Sequence, residues 1–115
     1  MKTFDVTSEQ RGDTVIVRLS GELDISSAPK VEDELARVEP DRPEVIVLDL
    51  RNLAFMDSTG LRLLIAADTR AREQQRRLQI VKGPETVQRV FRITRLEERL
   101  ELVDDVPDGA PEPAS

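Results

Sequence analysis

The sequence predicts an α/β fold. We expect one domain with a mixed, mainly parallel sheet of four to five strands, which begins with an N-terminal hairpin and is covered by about three helices. First, 115 residues suffice for a single domain with one modest core. Second, strand and helix patterns alternate after two initial strands. Third, "VIVLDL" is almost continuously aliphatic, which is typical of a parallel strand covered on both faces.

The first two strands are expected to form the hairpin. Residues 3–7 suit a short edge strand, and "EQRGD" suits a turn around Gly12. In "TVIVRLSG", every second residue from Val15 to Leu19 is apolar, which is the period of a strand. The two segments are close enough in sequence to pair with each other.

The first helix is predicted between this hairpin and "VIVLDL". Ser26 and Ser27 are candidates for its N-cap, and Pro29 suits its first turn. Apolar residues from Val31 to Val38 follow at spacings of four and three, so that one face packs inward. The prolines of "EPDRP" end the helix.

Two further helices alternate with the remaining strands. A helix from about Ser58 to Glu73 follows the "VIVLDL" strand, and "RLQIVKG" is the next strand. Pro84 can open a third helix, in which an apolar stripe ends at Phe91. The short segment "ELV", ending at Val103, is the last predicted strand. We assign Asp49, inside the buried strand pattern, a structural role.

The composition changes at Asp104, which divides the chain into a domain, residues 1–103, and a tail, residues 104–115. The tail "DDVPDGAPEPAS" holds four acidic residues, no basic residue and no periodic apolar pattern. Such a segment cannot bury enough apolar surface to fold, so we predict a disordered, acidic, proline-rich tail.

The composition also excludes several classes of chemistry. The chain has no Cys and no His, which excludes disulfides, thiol catalysis and the commonest general base and metal ligand. Hydrolysis by a Ser-His-Asp triad or by zinc is therefore excluded in its usual forms, and few enzyme mechanisms remain. We expect no enzyme, no catalytic residue, no metal and no cofactor. The net charge of −6 argues against nucleic acid and anionic membranes as partners. No segment resembles a signal peptide or a membrane span, so a cytoplasmic location is expected.

The junction "DSTG", Asp57 to Gly60, is the candidate functional site. It follows a predicted parallel strand and begins a helix, a position at which α/β folds bind ligands and backbone N–H groups favour anions. A phosphate on Ser58 would add roughly −1.5 to −2 charges there. Gly60 would leave room for a partner to approach. The local alternative is a simple helix cap by Ser58 or Asp57, and local chemistry alone favours that alternative.

Three segments of the chain resemble those of one family, and they follow one another along the chain as the segments of that family do. "FMDSTGLRLLI" resembles the phosphorylation-site segment of the STAS family, specifically that of bacterial anti-sigma factor antagonists. "VIVRLSGELDISSAP" is similar to the second strand and following turn of that family, with Gly21, Leu23 and Asp24 in its G-x-L-D pattern. "LQIVKGPETVQRVFRITRL" resembles its fourth strand and third helix. The resemblance covers roughly residues 3–103 and implies a single STAS-like domain.

The resemblance implies a partner-switching mechanism. The protein would bind a cognate anti-sigma factor, which is also a serine kinase with the histidine-kinase-like ATPase fold, and would thereby release the sigma factor. The kinase would phosphorylate Ser58 and the complex would dissociate. A PP2C-type phosphatase would restore the antagonist. The protein would be a substrate and a switch, not a catalyst.

The same resemblance places the partner-binding residues around Ser58. Asp24 would lie close to the serine, although a turn or cap residue is the alternative. Arg62, one turn into the helix, is a further candidate because of its position and would pair with an acidic group of the partner, although a solvated charge is the favoured interpretation. Thr59 is the alternative phosphate acceptor, but the family pattern points to Ser58. The full expected set is Asp24, Asp57, Ser58, Thr59, Gly60 and Arg62.

The sequence departs from the family pattern in two places, and one alternative function is open. Arg95 stands where the family often has Gly, and the last helix of many members is absent or very short here. The chain could instead be an accessory STAS subunit of a membrane transport ATPase for lipids, with no phosphorylation. An enzyme or nucleotide-binding domain is disfavoured, because no G-x-x-x-x-G-K loop is present.

Overall fold

A five-stranded sheet in the order β1-β2-β3-β4-β5 forms the centre of the structure, a computed structural model that describes residues 4–106. β1 and β2 pair antiparallel, and the other neighbours pair parallel. The strands are β1 (Asp5–Arg11), β2 (Thr14–Leu23), β3 (Val45–Met56), β4 (Arg77–Val81) and β5 (Leu102–Val103). The predicted fold class, a mixed sheet that begins with a hairpin, is confirmed.

Three helices connect the parallel strands: α1 (Ala28–Val38), α2 (Ser58–Glu73) and α3 (Glu85–Ile93). Each right-handed crossover steps to the next strand in the same direction, which places all three helices on one face of the sheet. Alternate strand residues pack against the helices in a single aliphatic core. Its fully buried members include Val17, Leu48 and Ile80 from the strands and Leu35, Leu64 and Phe91 from the helices.

The opposite face of the sheet carries a narrower apolar strip formed by Ile16, Val47 and Val81. These side chains are fully buried, and Val103 and Val106 are among the residues packed against them. No described helix covers this face, so "VIVLDL" is buried on both sides for two different reasons. The helices bury one side, whereas neighbouring strand residues and the chain after β5 pack against the other.

Asp49 lies on this second face, within β3, and is only 3% exposed. Arg51 donates to its carboxylate from the side chain at 2.9 and 3.0 Å and from the backbone at 3.1 Å, and Arg18 lies 3.8 Å away. Burial alone would raise the pKa of Asp49. The hydrogen bonds from Arg51 and the charges of both arginines outweigh burial and lower the pKa. These contacts agree with the structural role expected for Asp49.

Asp49→Asn is expected to lower the free energy of unfolding by about 1–2 kcal/mol near neutral pH, because it removes a buried charge that compensates Arg51. The lowered pKa means that this stabilisation is present above the unfolded-state pKa, about 4, and is lost as pH falls through the folded-state pKa. The difference between variant and native protein in denaturant titrations should therefore shrink in acid.

Asp105→Asn is the matched control for that measurement. Asp105 also accepts a hydrogen bond from Arg51, at 2.9 Å, but its side chain is 78% exposed. Its replacement should change stability by no more than about 0.5 kcal/mol. Equal effects of the two substitutions would contradict the assignment of Asp49 as the buried centre of this network.

Part of the predicted tail, residues 104–106, lies within the described residues. Asp104 pairs with Lys82 at 3.2 Å, Asp105 pairs with Arg51, and Val106 packs on the apolar strip. No helix begins between residues 103 and 106. The rest of the predicted tail, residues 107–115, lies outside the described residues, so its disorder and the boundary at 103 stay predictions.

Arg95, which stands where the family often has Gly, has a backbone conformation that favours glycine. It follows the end of α3 with φ of 60°, in the left-handed region that favours glycine. Its N–H donates to the carbonyl of Arg92 at 3.2 Å. The conformation expected of a glycine at this helix end is therefore kept, although the residue is not glycine.

Candidate functional site

The "DSTG" segment lies at the carboxyl edge of the sheet, beside the connection between β2 and α1. Leu23 and Met56 are paired at the ends of neighbouring strands, and Asp57 N–H donates to the carbonyl of Leu23 at 3.3 Å. The segments that contain Asp24 and Ser58 therefore leave the sheet side by side. This is the edge at which the sequence predicted a functional site.

Asp57, and not Ser58, caps α2. Its backbone is extended, with φ of −106° and ψ of −169°, and its Oδ1 accepts hydrogen bonds from Thr59 N–H at 2.9 Å and Gly60 N–H at 3.2 Å. Ser58 is the first residue of the helix, and its side chain is exposed. The sequence left both residues open as caps; the structure assigns the cap to the aspartate and leaves the serine hydroxyl accessible.

This assignment predicts different costs for two neighbouring substitutions. Asp57→Ala should lower the free energy of unfolding by about 1 kcal/mol, because two N–H groups at the helix start lose their acceptor. Ser58→Ala should change it by less than about 0.5 kcal/mol, because the exposed hydroxyl takes no part in the cap. Thermal or urea unfolding measures both, and a larger loss from the serine variant would contradict the assignment.

Gly60 is buried beneath the helix start. A Cβ atom at this position would lie 2.7 Å from Met56 Cγ, 2.8 Å from Leu23 Cγ and 2.9 Å from Leu23 Cδ2. Both neighbours are almost fully buried, so they have little room to move. Internal packing accounts for the glycine, whereas the sequence suggested open space for a partner.

Asp24 organises the connection between β2 and α1. Its Oδ1 accepts hydrogen bonds from the N–H groups of Ser26, at 2.9 Å, and Ser27, at 3.1 Å. The Ser27 hydroxyl donates to the carbonyl of Glu22 at 2.7 Å and accepts from Asp24 N–H at 2.9 Å. Ser27 occupies the N-cap position of α1, but its side chain forms no capping hydrogen bond. The prediction that the side chain of Ser26 or Ser27 caps α1 is therefore wrong. The network holds the turn in shape.

Ile25 projects from this fixed turn with 76% of its surface exposed. It borders a groove between α1 and the first turns of α2, with a volume of about 340 Å³. We call this the α1–α2 groove. Its lining is mostly apolar and consists of Ile25, Ala28, Pro29, Glu32, Thr59, Arg62, Leu63 and Ala66.

The predicted site residues thus occupy one surface but have different surroundings. Thr59 and Arg62 line the α1–α2 groove, and Ser58 precedes them in the same helix. Asp24 lies in the neighbouring turn, and Gly60 is below the surface. Their role in binding a partner stays a prediction.

Two apolar residues at this edge were missed by the sequence reasoning. Ile25 is one, and Phe55, which is 46% exposed and pairs with Glu22 near the strand ends, is the other. A large apolar residue in an otherwise polar turn was the signal that could have identified Ile25.

A larger cleft, about 750 Å³, lies at the opposite edge of the sheet. The segments before β3 and β4 line it, including Pro43, Glu44 and Arg76. It shares no lining residue with the α1–α2 groove.

Among residues 4–106, no group of three acidic side chains is placed to hold a metal ion, and no helix is long and apolar enough to cross a membrane.

The sequence and the fold agree with one family. Residues 5–109 match the family model of the STAS domain, and the chain belongs to that family. An anti-sigma-B factor antagonist from Staphylococcus aureus is 30% identical over 86 residues, which cover 75% of this chain and 80% of that protein.

Solved structures show the same fold. The crystal structure of an anti-sigma factor antagonist from Mycobacterium paratuberculosis has a TM-score of 0.84 at 26% identity, and the match covers 94% of this chain and 91% of that one. The Bacillus cell fate determinant SpoIIAA in its phosphorylated form has a TM-score of 0.69 at 23% identity, with 94% of this chain and 96% of that chain covered.

Proposed function

We propose that this protein is an anti-sigma factor antagonist that is switched off by phosphorylation on Ser58. It binds a cognate anti-sigma factor in the cytoplasm and so releases the sigma factor. The observation that carries the proposal is the position of Ser58: exposed at the first residue of α2, beside an apolar groove. The names of its relatives support it, and no relative reported above is named as a transport subunit.

The α1–α2 groove and its rim are proposed as the surface that binds the anti-sigma factor. Ile25 and Leu63 contribute apolar surface, and Glu32 and Arg62 contribute charges at the border. An apolar centre with a polar rim is the usual arrangement of a protein interface. Asp24 and Asp57 support this surface by holding the turn and the helix start.

In the proposed reaction the protein is the substrate. Ser58 Oγ attacks the γ-phosphorus of ATP, the bond from that phosphorus to the bridging oxygen of ADP breaks, and a base of the kinase accepts the hydroxyl proton. The anti-sigma factor supplies the nucleotide site, Mg²⁺ and the base, since the chain has no His. A PP2C-type phosphatase hydrolyses the phosphoserine and restores the hydroxyl.

Phosphorylation would weaken the complex by electrostatics. A phosphate adds roughly −1.5 to −2 charges at a surface that already holds Asp24 and Asp57. Asp57 accepts from Thr59 and Gly60, so two N–H groups of the helix start are not free to neutralise the phosphate. Removing a dianion from water against the partner is costly, and no refolding is required.

The proposal is tested with the purified anti-sigma factor and ATP. Mass spectrometry should find one phosphate, on Ser58, and none on the Ser58→Ala variant. Thr59→Ala is the matched control, because it removes the adjacent hydroxyl, and it should still be phosphorylated. Phosphate at another residue, or an unmodified protein with a kinase that is active on another substrate, would refute the proposal.

A further inference from the structure

Arg62 stands apart from most of the arginines around it. Its side chain is exposed, and it forms no hydrogen bond or ion pair with any residue of the described part of the chain. By contrast, Arg70 and Arg72 of the same helix pair with Glu39 and Asp68 at 3.0 and 2.9 Å. In the unphosphorylated protein Arg62 is therefore a cation with no partner among the described residues.

The helix places Arg62 over Ser58. The two residues are four positions apart in α2 and so share one face, with Cβ atoms about 6 Å apart. Side chains in a helix lean toward its N terminus, which directs the long arginine side chain back over the first turn. An acidic group four residues before a basic one is also the more favourable order of such a pair.

The first turn offers a phosphate few other donors. Asp57 already accepts the N–H groups of Thr59 and Gly60, and Asp57 N–H donates to Leu23. The charged groups before α1 and across the groove are acidic: Glu22 and Asp24 in the connection, and Glu32 of α1 in the groove lining. The first turn of α1 also carries a cation, Lys30, which is exposed and does not line the groove. A guanidinium matches the geometry of phosphate oxygens, so Arg62 is the suitable partner at this surface.

We propose that Arg62 binds the phosphate of phosphorylated Ser58 within the same helix. This inference rests on the proposed modification of Ser58 and adds a second consequence to it. The phosphate places a dianion at the edge of the α1–α2 groove and at the same time withdraws Arg62 from the rim of that groove. A partner that uses Arg62 as an anchor loses it in the phosphorylated state.

The test does not require the kinase. Phosphoserine is incorporated at position 58 during translation, and the second pKa of the phosphate is measured by ³¹P NMR in the full chain. That pKa, about 6 for free phosphoserine, should be roughly 0.5 unit higher in Arg62→Gln than in the native sequence, since a nearby cation favours the dianion. Arg62→Lys should fall between the two, and about 1 M salt should reduce the difference.

Arg89→Gln is the matched control, because it removes an equal charge from an exposed position of α3. Its phosphate should titrate as in the native sequence. Equal pKa values for native and Arg62→Gln proteins would overturn the inference, as would a pKa that rises to the same extent in both glutamine variants. Either result leaves the phosphorylation of Ser58 itself untouched, because the mass-spectrometric experiment decides that separately.

Discussion

Ile25→Ala is expected to weaken binding of the cognate anti-sigma factor by about tenfold or more. The side chain is 76% exposed on a turn that hydrogen bonds hold in place, and it borders the α1–α2 groove. A tenfold loss corresponds to about 1.4 kcal/mol, which is the contribution expected of one of the few residues that dominate an interface. Titration calorimetry or surface plasmon resonance with the unphosphorylated protein measures the loss.

Ile93→Ala provides a matched control. Ile93 is 71% exposed, nearly as much as Ile25, but it ends α3, and the helices run back from the carboxyl edge of the sheet to the opposite edge. Neither substitution should change the unfolding midpoint appreciably, since both side chains are exposed. Similar losses of affinity from the two variants would show that the proposed surface is not the binding surface.

Gly60→Ala should destabilise the protein by about 1–3 kcal/mol, the usual cost of forcing an extra methyl group into a packed core. The added Cβ would lie 2.7–2.9 Å from side-chain atoms of Met56 and Leu23, well inside normal contact distance. Alanine is otherwise the better helix residue, so the sign of the change tests the packing argument directly. Urea unfolding measures the change.

A second substitution separates packing from helix propensity. Gly60→Ala combined with Leu23→Val removes one methylene from the crowded side and should recover part of the loss, whereas Leu23→Val alone should cost about 1 kcal/mol. Additive losses in the double variant would contradict the steric explanation. The affinity for the anti-sigma factor, measured below the unfolding transition, would show whether the helix start also shifts.

Elements with a strong periodic pattern could be predicted from the sequence. The bounds of α2, Ser58 to Glu73, agree with the prediction, because a strand end, a capping residue and an apolar stripe mark its start together. The side on which each helix lies depends on the direction of the crossovers, not on any local pattern. The sequence did not predict that one face of the sheet lacks a helix. Val47 on that face is fully buried by other side chains, and its burial would be the same beneath a helix.

The sequence predicted which segment holds the candidate site but not how its residues are arranged. The motif placed it at "DSTG", yet the choice between Asp57 and Ser58 as the cap depends on backbone angles and on where one carboxylate oxygen points. Likewise, Gly60 looked suited to a partner's approach because the sequence does not show what lies beneath it. The sequence did not predict that Ile25 is exposed, since its exposure depends on the shape of the turn that Asp24 holds.

The cap formed by Asp57 also bears on the life cycle of the modified protein. Because a neighbouring residue supplies the acceptor for the helix start, the serine is free to gain or lose a phosphate while the helix keeps its own stabilising contacts. If Ser58 is modified as proposed, we expect the phosphorylated form to stay fully folded, with the cap of α2 intact. Dephosphorylation would then regenerate the form that binds the partner, without a refolding step and without new synthesis.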